Sequence, residues 1–263
     1  MSSRNLVICC AGDQSLHRNW SDESREFDLC VVYFGTTDGK WRDSADYYLA
    51  AKGPKWHLVP ATSQAFSGET SRYDSIWMPD DDIDSYTRNV NGLFRCFDQH
   101  RLALAQPALS AHGYISHAIT RERRRSLLRC TNFAELMVPM MRHDVFARLS
   151  DSFTLNKSGW GLDYLWASRI EKEGLGDIAG LDRFAVTHTR PVDPGGGVYA
   201  ALGLDPQRDL EQVMDEFGLS PEQRVRRTVF SLAGREFSIR SANLRDHLPM
   251  RVRLAVRSLR QRR

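Results

Sequence analysis

The sequence predicts an α/β fold, with a mostly parallel central sheet flanked by helices. Three observations carry this reading. Short runs that are apolar throughout recur along the first half of the chain, as expected of strands buried on both faces. The gaps between them are long enough for the crossover helices that parallel strands need. The 263 residues are 41% hydrophobic and 26% charged, which excludes collagen, coiled-coil and fully disordered classes and allows a large core.

Leu6-Val7-Ile8-Cys9-Cys10 reads as the first strand from its length and β-branching, and it ends at Ala11-Gly12-Asp13. Phe27–Phe34, closed by Gly35, reads as the second, Trp56–Pro60 as the third and Ser75–Met78 as the fourth. Asn89–Gln106 reads as a helix through Val90, Leu93, Phe94, Phe97 and Leu102, stopped by Pro107. His112–Arg129 is polar and arginine-rich, and Phe133–Met141 is apolar apart from Glu135. Gly161–Glu171 reads as a helix, Arg183–His188 as a further strand and Pro191–Gly197 as a glycine-rich loop. Ser220, Pro221 and Gln223 form a helix start, with serine as cap, proline in the first turn and glutamine completing the capping box. From His247 onward, Leu248, Val252, Val256 and Leu259 recur at helical spacing among arginines. The chain therefore divides into residues 1–200 and a helical C-terminal extension with a basic tail over 201–263. It has no internal repeat, low-complexity stretch or clear linker.

Thirty-six Lys and Arg against 33 Asp and Glu leave a net charge of +3, too near balance for a nucleic-acid binder. The excess is local: Arg251–Arg263 holds six arginines and no acid. That tail reads either as a helix lying on anionic lipid at the inner face of the membrane or as a solvated C-terminus. The five cysteines (Cys9, Cys10, Cys30, Cys96, Cys130) show neither CxxC nor zinc-ligand spacing, and those in the strand-like runs serve as small hydrophobes. A reducing, cytoplasmic setting fits them. Leu6–Ala11 is too short for a signal-peptide core, and no segment reaches the roughly 18–20 apolar residues of a membrane span.

Asp80-Asp81-Asp82 follows Ser75–Pro79 directly, at the carboxyl end of a strand, where ligands gather in α/β folds. Asp80 and Asp82 could present two carboxylates to one Mg²⁺ or Mn²⁺, cations that prefer oxygen and keep positions for substrate phosphates. A solvated loop capping the next helix is the plainer alternative. In Gly159-Trp160-Gly161-Leu162-Asp163 the glycines admit close backbone approach and Trp160 offers a face for a sugar. Asp163 reads as a general base or as a first-turn acid complementing the helix dipole. His188 is either structural or completes the coordination of a cation. Glu135, in so apolar a context, is paired or functional, as a second candidate base or as an acceptor for a sugar hydroxyl. Arg121, Arg123, Arg124, Arg125 and Arg129 form a solvated helix face or meet a diphosphate or an anionic glycan. No GxxxxGK[ST], GxGxxG or GxSxG pattern is present, so ATPase, dinucleotide-oxidoreductase and lipase-like readings lack support.

Gln106–Leu109, Glu135–Pro139, Trp160–Asp163 and His188, in that order, resemble the family catalogued as domain of unknown function 707. The resemblance spans roughly Leu29 to Gly197, including Lys52–Trp56 and the acidic triplet. More broadly the chain is similar to nucleotide-sugar glycosyltransferases of the GT-A (Rossmann-like) fold, which carry an aspartate–any–aspartate (DXD) motif at a strand end. The resemblance implies Mn²⁺ or Mg²⁺ on Asp80 and Asp82, with His188 as a third ligand. It implies Asp163 as the base of an inverting transfer. The donor would lie near Ala11, Gly12 and Asp13, with Asp81 and Lys55 beside it, and the acceptor near Trp160 and Gly161. Implied partners are a nucleotide-sugar donor and a glycan or lipid-linked acceptor, in surface polysaccharide synthesis.

The chemistry suits these residue types. Cleaving a sugar from a nucleoside diphosphate develops charge on the leaving phosphate, which a divalent cation and an arginine would stabilise. Two rival classes use the same residues. A metal-dependent phosphotransferase or hydrolase would transfer or release phosphate instead. A non-catalytic binding module of a polysaccharide assembly complex would bind no nucleotide and fold without metal.

Overall fold

In the computed structural model, which describes residues 4–65, 72–194, 196–232 and 235–241, strand β1 (Asn5–Ala11) is buried at every position. Its residues alternate between two cores: Val7, Cys9 and Ala11 enter one, and Leu6, Ile8 and Cys10 the other. A strand buried on both faces has no need of polar alternation. β1 pairs in parallel with β2 (Asp28–Tyr33) and β4 (Ser75–Trp77), and β2 in parallel with β3 (Tyr47–Ala50). The remaining strands are β5 (Ile83–Asp84), β6 (Leu104–Leu109), β7 (Leu128–Thr131), β8 (Met140–Arg142), β9 (Ile178–His188), β10 (Val225–Leu232) and β11 (Arg235–Arg240).

The sheet order is β11-β10-β7-β9-β6-β8-β4-β1-β2-β3, with β5 paired to β9 off this path. Along that path β8, β7 and β11 run against the other seven strands, so the sheet is mixed but mostly parallel. Helices α1 (Lys55–Ala65), α2 (Thr87–Gln99), α3 (His143–Leu149), α4 (Leu162–Glu173), α5 (Gly197–Ala201) and α6 (Pro206–Phe217) complete the fold. Val90, Leu93, Phe94 and Phe97 of α2 join the first core; Leu162, Leu165 and Trp166 of α4 join the second with Trp56 and Phe153. Among the described residues no helix is long and apolar enough to cross a membrane.

Four elements differ from the sequence expectations. Trp56–Pro60 is not a strand but part of α1, with Pro60 inside the helix. Trp56 and Val59 are buried at helical spacing against the second core, and that burial overrides their strand propensity. The helix expected over Asn89–Gln106 stops at Gln99, because Arg101 turns left-handed at φ 49°. Leu104–Leu109 is instead a buried strand, and the sheet accommodates Pro107 through a register shift against β9 between Pro107 and Leu109. Ser220 starts no helix: its hydroxyl accepts from Glu222 N–H in a turn that leads to β10. Beyond residue 201 the expected helical extension holds for α6 alone. β10 and β11 add to the sheet beside β7, with β11 at its edge and both strands half-exposed. The amphipathic run from His247 and its arginines lie outside the described residues.

The arginine-rich stretch is not a helix face either. Arg121, Arg123, Arg124 and Arg125 are exposed in irregular chain, whereas Arg129 lies in β7 and is fully buried. Its Nε donates to Asp182 Oδ2 at 2.9 Å and its terminal nitrogens to Asp182 Oδ1, Ile119 O and Arg121 O at 2.7–2.8 Å. This ion pair ties the 119–126 segment to β7 and β9.

Candidate functional site at the carboxyl end of the central strands

The acidic triplet follows β4 and is held against the segment before β8, where Met78 N–H donates to Pro139 O and Asp80 N–H to Met137 O. Each carboxylate then meets a different partner. Lys55, at the start of α1, donates from Nζ to Asp80 Oδ1 at 2.6 Å and to the carbonyls of Leu136 and Met137. Asp81 Oδ2 accepts the Gly12 N–H at 2.8 Å, so the first strand's end and the triplet are joined directly, and Asp81 Oδ1 accepts from Arg190. Asp82 Oδ2 lies 3.1 Å from His188 Nε2 and 3.3 Å from Arg190 Nε. β5 brings His188 there, since Ile83 pairs with His188 across the β5–β9 ladder.

Two buried polar atoms of this group have no hydrogen-bond partner, Asp82 Oδ1 and His188 Nδ1. Burial pushes the Asp81 carboxyl up, against the Gly12 N–H and Arg190. For Asp82 burial works the same way, but His188 and Arg190 prevail and hold it below the ordinary range. Burial disfavours the His188 imidazolium, yet Asp82 outweighs it and the ring is raised. Among the described residues no group of three or more His, Cys, Asp or Glu side chains is arranged to hold a metal ion. The free Asp82 oxygen still suits a cation such as Mg²⁺, which takes one or two protein carboxylates and completes its shell with substrate phosphates and water.

Glu135 and Asp163 are the other two acids of the site, each 6% exposed. The Glu135 backbone N–H donates to Gln106 Oε1 at 2.5 Å, and its Oε2 is buried without a partner. Burial pushes Glu135 up to about 7, against Ser116 and His188. Asp163 sits in the first turn of α4 and accepts the Tyr164 N–H on Oδ1 at 3.0 Å. Burial, with the Glu135 charge adding to it, pushes Asp163 up to about 7 as well. Two carboxyls poised near neutrality are suited to proton transfer.

The loop before α4 is shaped by its glycines. Gly161 has φ 92°, and a Cβ there would sit 2.8 Å from Val213 Cβ. Trp160 is half-buried and donates from Nε1 to the Tyr199 hydroxyl at 3.1 Å, the two rings meeting edge to face. Tyr164 accepts from Gln223 Nε2 at 3.1 Å, and the same nitrogen lies 2.9 Å from His117 Nδ1.

The structure thus gathers Asp80, Asp81, Asp82, Lys55, Gly12 and His188 at one end of the sheet. Ala11 closes β1 beside them. The Asp13 carboxylate accepts from the Tyr33 hydroxyl, the Thr36 N–H and hydroxyl and the Thr37 N–H, and so organises the turn after β2. Arg190, Gln106, Tyr199 and Gln223 were missed as site residues. Arg190 had a signal, since alternation at the end of β9 puts it on the same side as His188; the other three become neighbours of the site only through tertiary folding.

No protein-family model matches the sequence, and no curated protein matches it, so the resemblance to domain of unknown function 707 has no family model behind it. Solved structures do resemble the chain. S. aureus TarS 1–349 in complex with UDP-GlcNAc matches at a TM-score of 0.50 and 14% identity, over 81% of this chain and 64% of that one. The chain shares the fold of the matched part of TarS 1–349. It spans less than two thirds of that structure's length. TarS 1–349 in complex with UDP matches at a TM-score of 0.42 and 15% identity, over 73% of this chain and 61% of that one. A putative nucleotide-diphospho-sugar transferase from Desulfovibrio desulfuricans matches at 0.41 and 10% identity, over 82% of this chain and 99% of that one.

Proposed function

We propose that this chain is a nucleotide-sugar-dependent glycosyltransferase, moving a sugar to a glycan or lipid-linked acceptor in surface polysaccharide synthesis. The observation that carries the proposal is the convergence of the DXD triplet, Lys55, His188 and Arg190 with two buried carboxyls, Glu135 and Asp163. The TarS fold, solved with UDP-GlcNAc bound, supports a nucleotide-sugar donor.

Asp82, through its free buried oxygen, would hold Mn²⁺ or Mg²⁺, with substrate phosphates and water completing the shell. The cation would act as a Lewis acid on the leaving diphosphate. Arg190 adds a second positive charge there, half-exposed and able to swing from Asp81 to a phosphate. Lys55 holds Asp80 in place. Asp163 takes the proton of the acceptor hydroxyl as it attacks the anomeric carbon, which gives inversion. Its raised pKa leaves a substantial ionised fraction at neutral pH and makes it a stronger base than an exposed aspartate. Glu135, whose charge already bears on Asp163, is the second proton acceptor in reach of the same region. Trp160, braced by Tyr199, faces the acceptor.

Thermal-shift measurements with UDP-, GDP-, CMP- and TDP-type ligands, each with and without Mn²⁺, test this. One nucleotide should stabilise the protein only with metal, and Asp82→Asn should abolish that effect. Asp163→Asn should keep the metal-dependent binding and lose transfer. A panel with no stabilising nucleotide in the presence of metal would overturn the proposal.

A further inference from the structure

The fold explains only part of the arginine-rich stretch. Arg129 is neutralised by Asp182, but Arg124 and Arg125 line a cavity of about 360 Å³, together with Arg183 of β9 and with Tyr86 and Asn89 at the start of α2. That volume lies within the range of small-molecule sites, about 300–1,000 Å³. Neither the acidic triplet nor Glu135 nor Asp163 lines it.

Charge in this cavity is one-sided. Arg124, Arg125 and Arg183 are all exposed. Among the described residues Arg125 and Arg183 have no acidic partner, and Arg124 has only Glu122, at 3.6 Å. The other acid of the lining, Asp182, is fully buried and already neutralised by Arg129. The frame beneath the arginines is fixed. Asn89 Nδ2 donates to Phe184 O at 3.3 Å and to Ala185 O at 3.0 Å, which ties α2 to β9 on one side. On the other side the Arg123 N–H and the Ser126 hydroxyl donate to Asp182. Arg124 and Arg125 lie between those two bonds, so their backbone is held at both ends while the side chains reach solvent. Tyr86 is 61% exposed and adds an open aromatic ring.

We propose that this cavity binds one anionic sugar unit, a ring carrying phosphate or carboxylate, at a site separate from the transfer site. Guanidinium forks match both oxyanions in planar, bidentate geometry, and Tyr86 offers its face to the ring. Because the arginines stand on a fixed frame, little backbone ordering opposes binding. A nucleic-acid strand needs successive aromatic faces for its bases, and Tyr86 is the single ring among the described lining residues. The inference does not depend on the transfer reaction. A glycan strand and a free anionic sugar are two sources of the same chemistry.

Ligand-observed NMR titration of the full chain with glucose 6-phosphate, glucuronate, glucose and inorganic phosphate tests it. The two anionic sugars should bind at least about tenfold tighter than glucose, the worth of one charge-assisted hydrogen bond, and the gain should shrink as salt is raised. Arg125→Gln with Arg183→Gln, both at exposed positions, should abolish the gain with an unchanged Tm. Tyr86→Ala should weaken the anionic sugars about threefold or more and leave inorganic phosphate as it was. Tighter binding of a uronate trisaccharide than of glucuronate supports the site and names a glycan strand as the source, and equal binding supports it with the free sugar as the source. Equal affinity for glucose and the anionic sugars, or a gain that survives in the arginine variant, would overturn the proposal. So would a gain lost instead in Arg190→Met, which would put the anion at the transfer site. An RNA oligonucleotide that outcompetes the uronate trisaccharide and is released by the arginine variant would also overturn it.

Discussion

Arg190 Nε lies 3.3 Å from Asp82 Oδ2, the oxygen that His188 Nε2 approaches to 3.1 Å, while the outer nitrogen of the same guanidinium bonds Asp81. One half-exposed arginine thus spans two of the three acids. In the free protein it offsets their mutual repulsion, and on the proposed reading it would meet the diphosphate of the donor. Arg190→Met should weaken a nucleoside diphosphate about tenfold or more, the worth of one charge-assisted hydrogen bond. Affinity for the matching nucleoside, which has no phosphate to meet, should stay the same. Calorimetric titration of both ligands checks this, and equal losses for the two would show that Arg190 acts by holding the triplet's shape.

The buried acids make stability depend on pH with a definite sign. Asp163 is raised from 3.8 to about 7, first by burial and then by the Glu135 charge. The folded state therefore holds a proton that the unfolded chain has already released. Its contribution is complete below about pH 4 and is lost as pH climbs through about 7. Asp163→Asn should flatten that fall and raise stability at pH 7.5 by up to about 4 kcal/mol, at roughly 1.4 kcal/mol for each pH unit that separates the folded and unfolded values. Glu135, also raised to about 7, should leave a residual slope that Glu135→Gln removes. Scanning calorimetry at pH 5 and pH 7.5 reads both, and an unchanged slope in the double variant would refute the assignment.

What was legible in the sequence follows from how each segment is buried. β1, β2 and β4 announce themselves because strands covered on both faces are apolar throughout. The triplet and His188 were legible because each stands where such a run ends. α1 was not, since Trp56, Val59 and Pro60 look like a strand and only contact with Phe153 and Trp166 makes the helix the better burial. β10 and β11 are half-exposed and interrupted by arginines, so their weak alternation gave way to the Ser-Pro capping signal before them. The links Arg190–Asp81, Trp160–Tyr199 and Gln223–Tyr164 join positions far apart in sequence. No local pattern specifies such pairs.

Arg129 and Asp182 are both fully buried, and the pair is satisfied further by the Ser126 hydroxyl and the Arg123 N–H on Asp182. Arg129→Leu leaves a carboxylate in the core without its cation, and should cost about 3–5 kcal/mol. Adding Asp182→Leu should return much of that loss, because two apolar side chains no longer demand solvation. Urea denaturation of the single and double variants decides it. Additive losses would mean that packing, and not charge pairing, governs the site.

Gly161 combines two constraints that can be separated. Its φ of 92° is left-handed, and a Cβ would stand 2.8 Å from Val213 Cβ on α6. Gly174, which ends α4 at φ 63°, has open space around its missing Cβ. Gly174→Ala should therefore cost only the left-handed penalty, about 1–2 kcal/mol. Gly161→Ala should add overpacking against α6, for about 2–4 kcal/mol in all. Because Gly161 caps the helix whose first turn carries Asp163, the added methyl should also displace that carboxyl, lowering turnover more than donor affinity. Urea melts of the two variants, with donor titration on the folded Gly161→Ala protein, test both parts. Equal destabilisation by the two alanines would show that α6 yields to the methyl group and that the loop is held by backbone conformation alone.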